Sequence, residues 1–208
     1  MNIALINVKI YMYVKIKGDV KLSTVKILHC ADIHIGASES FLGANAENRR
    51  RETLLTFERI VELCRENGVQ VLAIAGDLFD SNSVEKSFTD AVFQKIATIP
   101  EVKVIFAAGN HDPLNAQSPF VKYKVPENFY ILGTNETVLT FNDIKLRVYG
   151  RSFETAFLKG VSAITNKPKE DDFINLLVQH GELKSDLDSR YNAITREFIL
   201  SSKMDYIA

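Results

Sequence analysis

Four short groups of polar residues follow apolar runs of this chain, and their types are those that bind divalent metal ions. The groups are Asp32-Ile-His34, Gly76-Asp77-Leu-Phe-Asp80, Gly109-Asn110-His111-Asp112 and Gln179-His180. Carboxylate, amide and imidazole ligands together suit manganese, iron or zinc better than calcium. Any one group is weak, because a Gly-Asp pair is usually a turn and a single histidine is usually structural. Together, in this order, the four groups indicate one metal-dependent site.

The elements that must position these groups are short β-rich runs alternating with amphipathic helices, which predicts an α/β fold. We expect strands at 25–31, 69–75, 102–107, 129–132, 137–141, 144–149 and 173–178, and another that starts at Met204. Helices are expected from Glu47 to about Glu66, over 83–99 with Ser83 as N-cap, and over 194–202. In open α/β sheets ligands bind at the carboxyl ends of the strands, so the four groups should converge on one pocket.

Two local features carry further expectations. The strands at 137–141 and 144–149 flank Asn142-Asp143, which predicts a tight hairpin turn with positive φ at these residues. Residues 1–24 differ in character from the rest of the chain. Alternation over 8–16 predicts a strand there, and the alternative is that the natural start lies near Val25. We therefore divide the chain into an extension at 1–24 and one domain at 25–208.

Composition limits the class of protein. Hydrophobic residues make up 46% of the 208 and charged residues 25%, which is usual for a globular protein. No apolar run reaches the length of a bilayer span, so we expect no membrane association. Cys30 and Cys64 lie in apolar segments and predict buried thiols in a reducing compartment, the cytoplasm. A net charge of −1 gives no electrostatic support for binding nucleic acid.

The four groups resemble the successive motifs of calcineurin-like metallophosphoesterases. The segments ILHCADIHIGA, LAIAGDLFDSN and GNHDP further resemble SbcD-type double-strand-break repair nucleases and their YhaO-like relatives. This resemblance implies a four-layer α/β/β/α sandwich of two mixed sheets. It also implies two divalent metal ions, with manganese favoured, that clamp the attacking and leaving oxygens of a phosphoester.

Ligand roles follow from the resemblance. It implies that Asp77 bridges the two ions, that Asp32 and His34 hold the first, and that Asn110 and His180 hold the second. His111 would be the general acid that protonates the leaving oxygen. Asp80 would pair with His111 so that the proton is available, although a simple loop ion pair is the alternative for these two.

Other polar residues are assigned structural roles. We expect His29 to be a packed core histidine and Asp112-Pro113 to be a turn. Arg49, Arg50 and Arg51 are expected on a solvated helix face, with a contact to a phosphate backbone as the alternative. Lys122, Tyr123 and Lys124 could line a nucleic-acid track, although their spacing does not require it.

The resemblance also implies a Gly-His-x-His motif after the last strand, which would complete both metal shells. The four histidines of this sequence are His29, His34, His111 and His180, so each metal ion lacks one imidazole ligand. We therefore expect the 208 residues to be the N-terminal part of a longer nuclease, truncated before the last part of the sheet, with little or no activity of their own.

Three functions remain open. The first is a DNA repair exonuclease, which by resemblance would act on DNA with a coiled-coil ATPase of the SMC type and could be a homodimer. The second is a metallophosphoesterase for cyclic nucleotides or small phosphoesters, because specificity lies in loops outside the metal core. The third is a non-catalytic remnant.

Overall fold

In a computed structural model of the protein, residues 9–15, 23–37, 46–161, 164–169, 171–184 and 189–208 are described. Four helices lie within these ranges: α1 (Ala46–Glu66), α2 (Lys86–Ala97), α3 (Pro119–Lys122) and α4 (Arg196–Ser202). The strands are β1 (Lys9–Lys15), β2 (Ser23–Cys30), β3 (Val71–Ala75), β4 (Lys103–Ala107), β5 (Phe129–Ile131), β6 (Thr137–Phe141), β7 (Leu146–Gly150), β8 (Leu158–Val161), β9 (Ile174–Leu177), β10 (Glu182–Leu183), β11 (Tyr191–Ile194) and β12 (Tyr206–Ile207). None of the described helices is both long and apolar enough to cross a bilayer.

Two mixed sheets form the centre of the molecule. The first has the order β1-β2-β3-β4-β5, in which β1 is antiparallel to β2 and the other pairs are parallel. The second has the order β12-β9-β7-β6, in which only the β6–β7 pair is antiparallel. A small parallel sheet has the order β10-β11-β8. The α/β class and the mixed sheets are thereby confirmed.

The central strands β3 and β4 of the first sheet are apolar and are buried on both faces, apart from the partly exposed Lys103 at the start of β4. On one face Leu72, Ile74 and Phe106 pack with side chains of α1 and α2 such as Phe57 and Ile96. On the other face a second cluster joins the two sheets through Val71, Ala73, Ile105, Val148 and Leu176. The far side of the second sheet is also buried at Tyr149, Asn175 and Leu177, as a four-layer sandwich requires.

Two local expectations are wrong. The helix expected at 83–99 begins at Lys86, and its N-cap is Glu85 without a side-chain capping bond, so Ser83 does not cap it. The hairpin turn spans residues 142–145, and its positive φ is at Lys145 rather than at Asn142 or Asp143. A four-residue hairpin loop places the left-handed residue later than a two-residue turn does.

Two other expectations agree with the structure. The alternating segment at 8–16 contains β1, which pairs antiparallel with β2 over Lys9–Lys15. Cys30 and Cys64 are both free and buried. Burial raises the pKa of the Cys30 thiol, and it raises the pKa of Cys64 to about 12.

Candidate metal centre

The loop after β2 is joined to the loop after β3 by backbone hydrogen bonds. The amide of Asp32 donates to the carbonyl of Gly76 over 3.2 Å, and the amide of His34 donates to the carbonyl of Asp77 over 3.0 Å. Asp32, His34 and Asp77 all have left-handed backbone conformations, with φ between 51° and 56°. Such conformations are costly for residues with side chains and are concentrated at functional sites.

Asp77 lies at the centre of the cluster and is almost fully buried. Its Oδ1 accepts a hydrogen bond from the backbone amide of His111 over 3.0 Å. Its Oδ2 lies 3.7 Å from Nε2 of His34 and 3.5 Å from Nε2 of His180. One carboxylate oxygen therefore faces two imidazoles from different loops, an arrangement that fits a ligand shared between two ions.

His180 presents a ring nitrogen to the same place. Its Nδ1 is 2.9 Å from the carbonyl of Ala75 and donates to it, which leaves Nε2 as the ring nitrogen that could bind a metal ion. Nε2 lies 3.0 Å from Oδ1 of Asn110. Electron-pair donors of His180, Asn110 and Asp77 therefore face one another, and a cation is what satisfies such a group.

Two glycines permit this close approach. A Cβ atom on Gly76 would lie within 2.6 Å of the ring of His180. A Cβ atom on Gly109 would overlap the carboxylate of Asp77. The glycines that precede Asp77 and Asn110 are therefore needed because the site has no room for a Cβ atom at either position. Gly76 also has a positive φ, which glycine adopts without strain.

Asp112 stabilises both loops, a role that the sequence did not indicate. The sequence predicted only a turn at Asp112-Pro113, but the structure shows that the Asp112 carboxylate is also fully buried. It accepts hydrogen bonds from the amides of Asp77 (3.2 Å), Phe79 (3.1 Å) and Gly109 (2.8 Å). Burial, followed by the charge of Asp77, raises the pKa of Asp112 to about 7.

The expected pairing of the Asp80 carboxylate with His111 is not the principal contact. Nδ1 of His111 is 3.0 Å from the backbone carbonyl of Asp80 and donates to it. The Asp80 carboxylate lies 3.3 Å from Nδ1 of His34 and 3.8 Å from Nδ1 of His111. The rings of His34 and His111 meet edge to face with centroids 4.6 Å apart. Backbone geometry therefore sets the orientation of His111.

The structure thus brings the five expected ligand residues into one cluster. Asp32, His34 and Asp77 have ligand atoms within 4.8 Å of one another, and so do His34, Asp80 and His111. A cavity of about 370 Å³ adjoins the cluster, and Asp32, Asn110, His180, Gln179, Glu182 and Tyr191 are among its lining residues. These donors suit a divalent ion such as manganese, iron or zinc.

Four of the remaining basic and histidine candidates have protein partners. Arg50 contacts Glu85 and the carbonyl of Ala37, and Arg51 contacts Glu47; the side chain of Arg49 lies outside the described residues. Lys122 donates to Gln117. His29 is only partly buried, lies 3.1 Å from the hydroxyl of Tyr206 and lines the cavity, so it is not a plain core histidine.

Comparison with known proteins identifies the family of this chain. The sequence profile of the family described as "Calcineurin-like phosphoesterase" matches residues 25–207. Proteins named "DNA double-strand break repair protein Mre11" are similar to this chain. The one from Methanopyrus kandleri is 24% identical over 76% of this chain and 38% of its own length. The one from Aeropyrum pernix is 32% identical over 42% of this chain and 21% of its own length.

A component of the nuclease SbcCD, from Rhodobacter capsulatus, is 29% identical over 43% of this chain and 22% of its own length. The chain thus spans well under half the length of these curated relatives. The profile match covers nearly the whole of the chain and includes all four polar groups, so this chain belongs to the calcineurin-like phosphoesterase family.

Proposed function

We propose that this chain carries the two-metal centre of a phosphodiesterase that cleaves DNA in repair, most simply as an exonuclease. The observation that carries the proposal is the position of Asp77 Oδ2, 3.7 Å from Nε2 of His34 and 3.5 Å from Nε2 of His180. Family membership supports hydrolysis of a phosphoester. The similarity to proteins named as a break repair protein and as part of a nuclease supports DNA as the substrate.

The ligands divide into two groups around Asp77. In this proposal Asp32 and His34 hold one ion, and Asn110 and His180 hold the other. Asp32 and His34 share the loop after β2, whereas Asn110 and His180 come from two other loops, and the position of Asp77 between the two histidines supports this division. Manganese is the proposed metal, since it accepts both oxygen and imidazole ligands. When bound, two such ions activate water and stabilise the charge that develops at phosphorus.

His111 is the proposed general acid. About 45% of its side chain is exposed, and it lies beside the metal cluster. Its Nδ1 donates to the carbonyl of Asp80 and so fixes the plane of the ring. In the cationic form of the ring, Nε2 carries a proton that can be given to the leaving oxygen. Asp80 is thus a positioning residue for His111 through its backbone, and its carboxylate contacts His34.

The metal assignment is tested by calorimetric titration of the chain with Mn²⁺. We expect two binding events in the native chain and their loss in Asp77→Asn, because that amide cannot replace a shared anionic oxygen. Asp143→Asn, in the exposed hairpin turn, is the matched carboxylate control and should titrate like the native chain. If the native chain gives no heat of binding when it is titrated with Mn²⁺, the two-metal centre is contradicted and a non-catalytic remnant is favoured.

The substrate class is tested separately. Linear single- and double-stranded DNA, cyclic nucleotides and p-nitrophenyl phosphate esters are compared at saturating Mn²⁺. We expect cleavage of DNA ends above the other substrates. Preference for cyclic nucleotides or small esters would contradict DNA as the substrate and indicate a phosphoesterase for small molecules. Five of the ligands implied for two complete metal shells are present, so we expect slow turnover by these 208 residues.

The cellular setting follows as part of the same proposal. A DNA repair nuclease with two buried free thiols suits the cytoplasm. A coiled-coil ATPase partner and a homodimer are proposed for the whole protein, and sedimentation of the chain alone and with such an ATPase tests both.

A further inference from the structure

The small parallel sheet next to the cavity exposes large apolar side chains. Relative exposure is 76% for Leu183, 51% for Phe157 and 39% for Tyr191. Leu183 is on β10, Tyr191 begins β11, and Phe157 directly precedes β8. Single exposed apolar residues are ordinary, but a group of them beside a binding site indicates a contact surface.

Phe157 and Tyr191 form one continuous aromatic surface. Their ring centroids are 6.0 Å apart with an angle of 40° between the planes. Both are held by ordered backbone: Tyr191 pairs with Leu158 across the sheet, and its amide donates to the hydroxyl of Ser189 over 2.9 Å. The amide of Phe157 donates to Oγ1 of Thr155. The two rings are therefore presented together rather than as independent loop side chains.

This surface is continuous with the metal centre. Tyr191 lines the same cavity as Asp32, Asn110 and His180. A nucleic-acid strand with one phosphate at those ligands would therefore bring a neighbouring nucleotide toward Tyr191, whose ring adjoins that of Phe157. Two cationic residues are close to the rings in sequence: Arg190 precedes Tyr191 and Lys159 lies two residues after Phe157, and both are exposed. Aromatic faces interleaved with cations are the usual construction of a single-strand binding track.

We propose that Phe157 and Tyr191 form a base-stacking platform that holds unpaired nucleotides adjoining the phosphate at the metal centre. The proposal rests on DNA being the substrate, and it specifies the form of that substrate. In a duplex both faces of every internal base are covered by neighbouring bases, and only the outer face of the terminal pair is open. Successive bases therefore become available to the two rings only in a strand that is frayed or already single. The platform therefore favours single-stranded ends.

Binding without metal tests the platform apart from the chemistry. A fluorescent oligothymidylate is titrated with the protein in EDTA, alongside the same oligomer with abasic sites and a duplex of equal length. We expect the native chain to bind the oligothymidylate best. Its bases are unstacked along its length, whereas the abasic oligomer lacks bases and the internal bases of the duplex are covered on both faces. Phe157→Leu and Tyr191→Leu, which keep apolar volume and remove the ring, should each weaken this binding roughly 5- to 100-fold.

The controls separate the possible outcomes. Leu55→Ala, at an exposed apolar position on α1, should bind like the native chain, and thermal melting verifies that each variant is folded. The abasic oligomer keeps the backbone charge, so its binding should not respond to loss of the rings. Equal binding of the intact and abasic oligomers by the native chain, or unchanged binding in both leucine variants, overturns the platform. Binding with this pattern in a chain that shows no Mn²⁺ binding by calorimetry would instead count against the proposed function alone.

Discussion

The backbone of Gly109 lies directly against the carboxylate of Asp77, so that a Cβ atom at position 109 would overlap Oδ1 of Asp77. Two strand-end loops thus meet at van der Waals distance in the centre of the candidate metal centre. The contact shows why a residue without a side chain precedes Asn110: any larger residue would move the carboxylate that faces both His34 and His180.

Gly109→Ala tests this contact. We expect Mn²⁺ affinity to fall at least about tenfold, since misplacement of a ligand by a neighbouring group typically costs 10- to 100-fold in metal binding. Calorimetric titration measures the loss. Gly133→Ala is the matched control, because the nearest atom to its added Cβ is Oγ1 of Thr137 at 3.1 Å. Unchanged affinity in Gly109→Ala would mean that the loops can separate without cost to the centre.

Asp112→Asn tests the hydrogen bonds that join the two loops. The native carboxylate accepts from the amides of Asp77, Phe79 and Gly109. An asparagine amide nitrogen cannot accept, so at least one buried donor loses its partner at a cost of about 1–3 kcal/mol in the free energy of unfolding. Urea denaturation measures the change. Asp143→Asn, at an exposed carboxylate, should change stability by less than about 1 kcal/mol, and equal losses in the two variants would contradict the role of Asp112.

His111→Gln tests the assignment of the general acid. We expect kcat on DNA to fall roughly 100- to 10,000-fold, the usual range for loss of proton transfer, while Mn²⁺ titration stays unchanged. The fall should be much smaller on bis(p-nitrophenyl) phosphate, because p-nitrophenolate leaves without a proton. Rates on the two substrates at saturating Mn²⁺ give the comparison. An equal fall on both would show that His111 acts otherwise, for example by positioning the substrate.

The buried thiols predict resistance to modification and sensitivity to alkali. Burial raises the pKa of Cys64 to about 12 from a usual value of 9.0, and the Cys30 pKa is raised as well. Both thiols should react with Ellman's reagent in urea and remain unreactive in the native chain at pH 8. As pH rises past about 9, the unfolded chain loses these protons before the folded chain does, so stability should fall. Rapid reaction of the native chain would contradict the burial.

Much of the fold could be predicted from local pattern. An apolar face predicted a helix from Glu47 to about Glu66, and α1 begins one residue earlier. The residues of that predicted face were Leu54, Leu55, Phe57, Ile60, Val61 and Cys64, of which Leu55 is exposed in the structure. The small sheet of β8, β10 and β11 was missed, because strands of two to four residues are too short to show a period. The predicted Ser83 cap and the predicted positive φ at Asn142-Asp143 were wrong, since caps and turns depend on where the chain enters and leaves each element.

The metal centre, like the fold, could be predicted from the sequence only in part. The residue types of Asp32, His34, Asp77, Asn110 and His180, and their positions after strands, could be found by inspection of the sequence. The role of Asp112 could not, because it depends on three amides from two loops meeting at one carboxylate. The contact of His111 with the backbone of Asp80, instead of its carboxylate, was equally invisible, since sequence does not specify side-chain orientation.

The sequence by itself determined the chemistry available to this protein: which ligands it has, their order along the chain, and the family that shares them. Only the tertiary structure decided how those groups meet. Parallel pairing of β2, β3 and β4 brings the first three loops to one edge, and the packing of the second sheet against the first brings His180 to that edge too. The reason is physical: residue type is a local property, whereas the distance between Asp77 and His180 depends on how two sheets pack.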